Sequence, residues 1–420
     1  MQVPASATHS SVHSVERSAC AACGATHLFP FLDLGDMPPA NALLKRPDQE
    51  ENSFPLGLVS CQECHLIQLT HLVPSELLFK GYVYFSSISQ TMAAHFAEMA
   101  GEIEDRFVPE NGLVVEIGSN DGILLHNLVG HPVRILGVDP AETAAAAARE
   151  RGVPTVVDFF NTAVAQRIRD EHGPASAILG NNVLAHIPNL QETIRACAVL
   201  AADDGVLVFE FPYVVDFLLQ GEFDTVYHEH FYYLGLGPLE RLLRQHGFRI
   251  FEARRMSVHG GSIRVFASRR TSPRTEHHQV GELGELERSL ELANPDRLKA
   301  FGQHAEKVRS ELNAMVDDLR QQGKRVVGYT APAKGNVLLN YCKLGPDRID
   351  YLADATPAKQ GLYSPGMHIP IQSPEHFQQD RPDYAVLLAW NHQAEVMRRE
   401  QLWHELGGKF IVPIPNPHIV

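Results

Sequence analysis

Four of the six cysteines in this 420-residue chain fall in two CxxC pairs, Cys20-Ala-Ala-Cys23 and Cys61-Gln-Glu-Cys64, while Cys197 and Cys342 stand alone. Each CxxC turns two thiolates toward one point, and two such pairs complete a closed tetrahedral shell of the kind that holds structural zinc. The spacer of 37 residues between the pairs must therefore leave one ion and return to it. Pro38, Pro39 and Pro47 within it point to loops and short strands, and Gly24 suits a tight knuckle after the first pair. A disulfide or a thioredoxin-like pair is the competing reading, but a redox motif needs one CxxC and not two. His27, His65 and His71 lie close by, yet four cysteines already saturate the ion.

The rest of the chain must build its own core. At roughly 150 residues per domain, its length implies about two or three domains. Lys plus Arg number 36 against 50 Asp plus Glu, a formal net charge of −14, with no local basic cluster; a nucleic-acid partner is not expected. No apolar run approaches the roughly 18 residues of a membrane span, and no basic patch followed by an apolar stretch opens the chain. We read it as cytoplasmic, with no membrane partner.

Leu113-Val114-Val115-Glu116-Ile117-Gly118 is an apolar run closing on an acid and a glycine, and Ser119-Asn120-Asp121-Gly122 leads to a helical start at Ile123-Leu124-Leu125. Arg134 to Val138 is a second strand closing on Asp139, 21 residues after Gly118, and an Ala-rich helix follows from Ala141 to Glu150. In an open parallel sheet the ligand crevice lies beyond the carboxyl ends of the strands, where an acid on the second strand grips ribose hydroxyls. The first turn lacks the GxGxxG spacing that cradles a pyrophosphate, and its acid repels phosphate. It suits a phosphate-free cation, and S-adenosylmethionine carries an amino group and a sulfonium. Asp158-Phe159 is placed to meet an adenine amine and ring face, and Asn181 to sit at the mouth of a fourth strand, Ala177 to Asn182. A nonspecific α/β sheet with ordinary turn residues is the plain alternative.

After the strand Val206 to Phe211, the stretch Tyr227-His228-Glu229-His230-Phe231-Tyr232-Tyr233 packs two His, one Glu and three Tyr into seven residues. Such a mix supplies a base near neutral pH, a carboxylate to orient it and phenols for an oxyanion, the set needed for proton abstraction beside a carbonyl. His186 follows Asn181 at the same strand mouth, and Tyr82-Val83-Tyr84-Phe85-Ser86-Ser87 precedes the nucleotide domain, where it can close over the pocket. The alternating His228 and His230 also offer a metal pair, although the HExxH of zinc hydrolases is absent.

From Asn294-Pro295 a long amphipathic helix runs to Gly323, with Leu298, Phe301, Ala305, Val308, Leu312, Met315 and Leu319 as its stripe, read as domain packing rather than a coiled-coil seam. A further α/β unit then begins, with strands at Arg325–Gly328, Ile349–Leu352, Tyr384–Ala389 and Phe410–Val412. Asp354 ends its second strand, but Gly328-Tyr329-Thr330-Ala331-Pro332-Ala333-Lys334-Gly335 is not GxGxxG, so a nicotinamide cofactor is a weak reading. Lys334 and the amides around Gly335 can instead meet a diphosphate, with Trp390-Asn391-His392 at another strand end of that crevice.

Taken together, the CxxC pairs, EIGSNDG at Glu116 to Gly122, NNVLAHIPN at Asn181 to Asn189, YHEHF at Tyr227 to Phe231, VHGGS at Val258 to Ser262, GYTAPAKGN at Gly328 to Asn336 and AWNH at Ala389 to His392 are highly specific. Over nearly its whole length the chain resembles the three-domain sugar C-methyltransferases, which act on nucleotide-linked 4-keto-deoxysugars. The resemblance implies an α/β protein with an N-terminal zinc-binding domain (1–75), a central class I methyltransferase Rossmann-like domain (76–284), and a linking helix with a C-terminal Rossmann-like domain that helps bind the nucleotide sugar (285–420). It implies that Cys20, Cys23, Cys61 and Cys64 hold zinc. Glu116, Gly118, Asn120, Asp139, Asp158, Phe159 and Asn181 would hold S-adenosylmethionine, with Ser86 and Ser87 at its carboxylate. His230 would be the base that makes an enolate, Glu229 its orienting acid, and Tyr227, Tyr82 and His186 the stabilisers of the enolate oxygen. Tyr84, Lys334, Asn336 and Asn391 would meet the substrate, expected to be a TDP-linked 4-keto-6-deoxysugar methylated at C-3. Asp139 stands where some relatives have Glu, and Phe85 where others carry a polar residue. A methyl acceptor outside sugar chemistry, or a noncatalytic nucleotide-sugar scaffold, are the remaining readings; the Tyr227–Phe231 cluster argues against a pure binder. Three domains already enclose the crevice, so the chain is read as a monomer.

Overall fold

The computed structural model describes residues 14–79 and 90–420. Tyr82, Tyr84, Ser86 and Ser87 lie outside the described residues.

The apolar run Leu113–Ile117 is buried at every position, as a strand covered on both faces must be. It lies inside a seven-stranded sheet, flanked in parallel by Arg134–Val138 and Ala175–Asn181. Thr155–Val156 extends the sheet on the first side and Ala201–Pro212 on the second. Ser262–Arg269 then runs antiparallel between Ala201–Pro212 and Phe248–Met256. The chain moves outward from Leu113 to Val156, then returns to Ala175 on the other side. The strand order therefore reverses between Leu113–Ile117 and Ala175–Asn181, and a crevice opens there beyond the carboxyl ends.

The first turn departs from expectation. Ile123 does not begin an α-helix; a 3-10 turn forms over Leu125–Leu128. The Asn127 side chain donates to the carbonyls of Ile123 (2.9 Å) and Leu124 (3.0 Å). Its backbone N–H bonds Leu124 O, three residues back, instead of the α-helical partner. The Ala-rich helix does form, over Glu142–Glu150.

The four-stranded N-terminal sheet is completed from far along the chain. Leu28–Met37, Phe54–Cys61 and Ile67–Leu69 pair antiparallel, and Tyr232–Tyr233 adds the fourth strand. The end of the aromatic stretch that carries His230 is thus hydrogen-bonded into the cysteine-bearing sheet, with Leu69 N–H donating to Phe231 O at 3.0 Å.

The long helix spans Pro295–Gln321, with Asn294 Oδ1 accepting from Asp296 N at its cap. Its buried stripe is the expected one except that Val316, not Met315, is buried, which keeps the 3.6-residue turn. The stripe packs within the chain: the Phe301 ring lies 6.1 Å from Phe31 and 4.9 Å from Phe217, centroid to centroid. Gly302 lets the Phe31 carbonyl come within 2.4 Å of where a Cβ would stand.

The C-terminal sheet orders Ile371–Gln372, Leu352–Ala353, Val326–Tyr329, Tyr384–Leu387, Lys409–Val412 and His418–Ile419, all parallel except the last. Its second strand is shorter than expected, with only Leu352 and Ala353 paired. Among the described residues no helix is long and apolar enough to cross a membrane. Because Phe301 joins the N-terminal and central units, Phe301→Ala is expected to cost about 3–5 kcal/mol in stability, read as a lowered midpoint of denaturant unfolding.

Candidate active site

The two cysteine knuckles fold alike. Gly24 N–H donates to Cys20 O, and His65 N–H to Cys61 O, both at 2.9 Å. Gly24 (φ 77°) and His65 (φ 68°) take the left-handed conformation that lets the chain turn back. His65 is therefore a knuckle residue, not a ligand. The four sulfur atoms lie within 4.8 Å of one another, and Cys20–Cys64 and Cys23–Cys61 are 3.4 and 3.6 Å apart. A tetrahedron with zinc–sulfur bonds of ~2.3 Å has edges of roughly 3.8 Å, so the donor set fits. The shell leaves no open position for chemistry, so the zinc of this domain is structural.

A cleft of about 770 Å³ opens at the crossover of the central sheet and runs to the C-terminal domain. Gly118, Asn120, Asp139, Asp158, Phe159 and Asn181 all line it. Gly118 has φ 65°, and a Cβ there would meet Val183 Cγ2 at 2.5 Å, so only glycine closes this turn. Asp139 accepts the Asn120 and Ala141 amides, both at 2.9 Å, which holds its carboxylate at the second strand's mouth; burial raises its pKa. Phe159 is 47% exposed and lines the same cleft, where its ring offers a face to a planar base.

Glu116 corrects one expectation, because it does not line the cleft. It sits behind the turn, accepts from Asn181 Nδ2 at 3.2 Å, and is pushed by burial up to about 8. Its influence on a ligand passes through Asn181. Glu116 Oε2, Asn181 Oδ1 and Asn182 Oδ1 are buried without a hydrogen-bond partner among the described residues. The Asn181 and Asn182 oxygens are buried acceptors that call for a hydrogen-bond donor, which fits the amino end of S-adenosylmethionine. Asn182 was not singled out by the sequence; its left-handed φ of 51° is what turns it toward the cleft mouth.

Farther along, His230, Tyr227 and His186 come together. The His230 ring stacks on Tyr227 with centroids 3.8 Å apart and meets the edge of His186 at 4.8 Å. His230 Nδ1 lies 2.9 Å from the Thr225 carbonyl. A carbonyl can only accept, so Nδ1 carries the proton in the neutral ring and Nε2 keeps its lone pair. Burial pushes His186 down to about 4 against the opposing pull of the Glu229 backbone, so it is neutral at pH 7.

Glu229 does not orient His230. Its carboxylate is buried, accepts from Asn41 Nδ2 at 3.1 Å and is raised by burial to about 7. The orienting group is the Thr225 carbonyl, which sequence reasoning missed because any residue type supplies one. His228 is buried too, with Nε2 3.3 Å from Phe54 O and its ring edge against Phe54, so the two histidines diverge and form no metal pair. Asn41 reaches the cleft from the N-terminal domain, a long-range placement with no local signal.

The substrate residues separate. Asn391 and Lys334 line the cleft; Asn336 does not, being buried with Nδ2 bound to Ala40 O at 2.8 Å. The structure thus corrects its substrate role to that of a strut between the C- and N-terminal domains. Lys334 Nζ lies 4.3 Å over the Trp390 ring, with Asp224 and Glu222 as its charge neighbours. Lys359 joins it at the cleft, its Nζ on Ala331 O and 3.6 Å from Asp354.

Two outcomes follow from this geometry. Cys61→Ser is expected to lower bound zinc from one equivalent per chain toward none, measured by elemental mass spectrometry on the purified protein, with a fall in thermal stability. At pH 7 the Glu116 carboxyl, with its pKa near 8, is mainly protonated. A cation bound at the neighbouring oxygens lowers that pKa, so binding should release up to about one proton and tighten as pH rises toward 8. Calorimetry at pH 7 in buffers of different ionisation heat reads the release, and Glu116→Gln should abolish it.

Three family models match in sequence: a zinc binding domain over residues 20–79, a methyltransferase domain over 90–253, and a C-methyltransferase C-terminal domain over 257–415. The C-methyltransferase NovU of Streptomyces niveus is 37% identical over 404 residues, 96% of each chain. A ubiquinone biosynthesis O-methyltransferase of Bordetella bronchiseptica is 28% identical over 98 residues, 23% of this chain and 41% of that one. Among solved structures, magnesium protoporphyrin IX methyltransferase from Synechocystis PCC 6803 is similar at 18% identity and a TM-score of 0.32, over 43% of this chain and 79% of that one. With a four-cysteine zinc domain, an S-adenosylmethionine-binding Rossmann-like domain and a parallel C-terminal sheet, the chain belongs to the family of C-methyltransferases that includes NovU.

Proposed function

We propose that the protein transfers the methyl group of S-adenosylmethionine to C-3 of a TDP-linked 4-keto-6-deoxysugar, with His230 as the base. An unactivated sugar carbon is not a nucleophile, whereas the carbon beside a ketone gains acidity from it. His230 Nε2 takes the C-3 proton, the C–H electrons form the C=C bond, and the carbonyl electrons move to oxygen. The enolate carbon then attacks the sulfonium methyl; the new C–C bond replaces the S–CH₃ bond and S-adenosylhomocysteine leaves.

The observation that carries this reading is the Nδ1–Thr225 hydrogen bond at 2.9 Å, which leaves the basic nitrogen of His230 in a cleft shared with the donor-binding turn. Tyr227 lies on the His230 ring and His186 at its edge, which brings a phenol O–H beside the base, as a developing oxyanion needs. Tyr82, Tyr84 and Ser87 belong to this proposal through the sequence resemblance alone. Lys334, Lys359 and Asn391 give the C-terminal wall two cations and an amide for a nucleotide diphosphate. Both cations have acids beside them, Asp224 and Glu222 at Lys334 and Asp354 at Lys359.

The test combines methyl-labelled donor with TDP-4-keto-6-deoxysugars and mass analysis of the product. The expected result is one methyl added on carbon; donor binding without transfer to any such sugar would overturn the substrate assignment. His230→Ala is expected to lower turnover by about 10²- to 10⁴-fold, to stop solvent-deuterium exchange at the sugar carbon, and to leave S-adenosylhomocysteine affinity unchanged by calorimetry.

A further inference from the structure

His230 is useful as a base at Nε2 only while its proton stays on Nδ1. A free neutral imidazole exchanges between both tautomers, so one must be selected by what faces the ring. Here the selector is Thr225 O, which also accepts from Tyr233 Oη at 3.0 Å. Thr225 ends the short 3-10 turn Phe223–Thr225, and its own N–H and Oγ1 both bond Glu222 O. The turn is thus internally tied, and its position depends on what grips it from outside.

The grip comes from the C-terminal domain. Asp224, adjacent to Thr225 and with no solvent exposure, accepts from Trp390 Nε1 through Oδ2 at 2.7 Å. Trp390 lies on the 3-10 turn Trp390–His392 that follows the strand Tyr384–Leu387. On the other side of Asp224, Phe223 meets the edge of Tyr341 at 5.5 Å, on the helix Ala333–Cys342. Lys334, on the same helix, covers the Trp390 face. Asp224 also takes hydrogen bonds from the Asp224 and Thr225 amides and faces the Lys334 charge, and its buried carboxylate carries a desolvation cost that core packing does not require.

We infer that Asp224 and Trp390 are positioning residues for the general base: their hydrogen bond locks the turn whose Thr225 carbonyl selects the His230 tautomer and aims Nε2. This rests on the reading of His230 as the base. It means that the C-terminal domain, besides facing the substrate, holds the base in the central domain in its working form. A displacement of the carbonyl by about an ångström is enough to cost on the order of 10²-fold in rate.

The experiment uses the full-length, zinc-loaded enzyme with ¹⁵N-labelled histidine, the His230 signal being identified by its loss in His230→Gln. Trp390→Phe keeps an aromatic face beneath Lys334 and removes only the N–H. It is expected to change His230 from the Nδ1–H form to a tautomer mixture and to lower kcat about 10- to 100-fold, with S-adenosylhomocysteine affinity unchanged. Asp224→Asn retains an acceptor oxygen and should lose much less than Asp224→Ala, a comparison that stands even if Trp390→Phe does not fold. A His230 that stays in the Nδ1–H form with full turnover in Trp390→Phe would overturn the inference, as would equal losses in the two Asp224 variants. A tautomer mixture with undiminished turnover would instead support the positioning and overturn His230 as the base.

Discussion

The arrangement hangs on a carbonyl oxygen, Thr225 O, that can only accept. By taking the Nδ1 proton of His230 at 2.9 Å it decides which nitrogen is basic. The stacking of Tyr227 and the edge contact of His186 then fix the plane of a ring whose chemistry is already set. Neither of these two neighbours is a carboxylate. The carboxylate beside His230 in sequence, Glu229, is kept out of the cleft and spent on Asn41.

The same short segment joins the three parts of the chain. Tyr232 and Tyr233 pair with Gln68 and Ile67, so the stretch after the histidine becomes the edge strand of the cysteine-bearing sheet. The second knuckle, closed by Cys64, lies three residues before Ile67. The cysteine-bearing sheet is therefore continuous with the strand that begins two residues after His230. On the other side, Asp224 and Phe223 tie the approach to His230 into the C-terminal domain. Asn336, bound to Ala40 O, closes the circuit by linking the outer domains directly.

Electrostatics divide the cleft into two ends. At the central sheet, the Asn181 and Asn182 side-chain oxygens are buried without a hydrogen-bond partner among the described residues. At the far end Lys334 and Lys359 supply positive charge. The acceptor-bearing wall and the lysine-bearing wall are thus separate parts of the cleft. The overall charge of −14 says nothing of this division, because it arises from local burial.

Much of this was legible in the sequence where the signal is local. CxxC spacing determines a knuckle because both thiolates and the reversing residue lie within one turn, and the structure gathers all four sulfurs. The strand closing at Gly118 and the acid at Asp139 were readable for the same reason: strand period, turn glycine and acid lie within one β-turn-β unit. Even there the helix expected at Ile123 failed, since a side chain, Asn127, outcompeted the backbone for its carbonyls. The roles of Glu229, Asn336, Asn41 and Trp390 were decided only by tertiary structure. Each makes its defining hydrogen bond to a group more than 160 positions away, and a motif states which side chains are neighbours in sequence but not which way the folded chain turns them. The sequence sets His230 and Glu229 side by side; packing gives the histidine to a backbone carbonyl and the carboxylate to another domain.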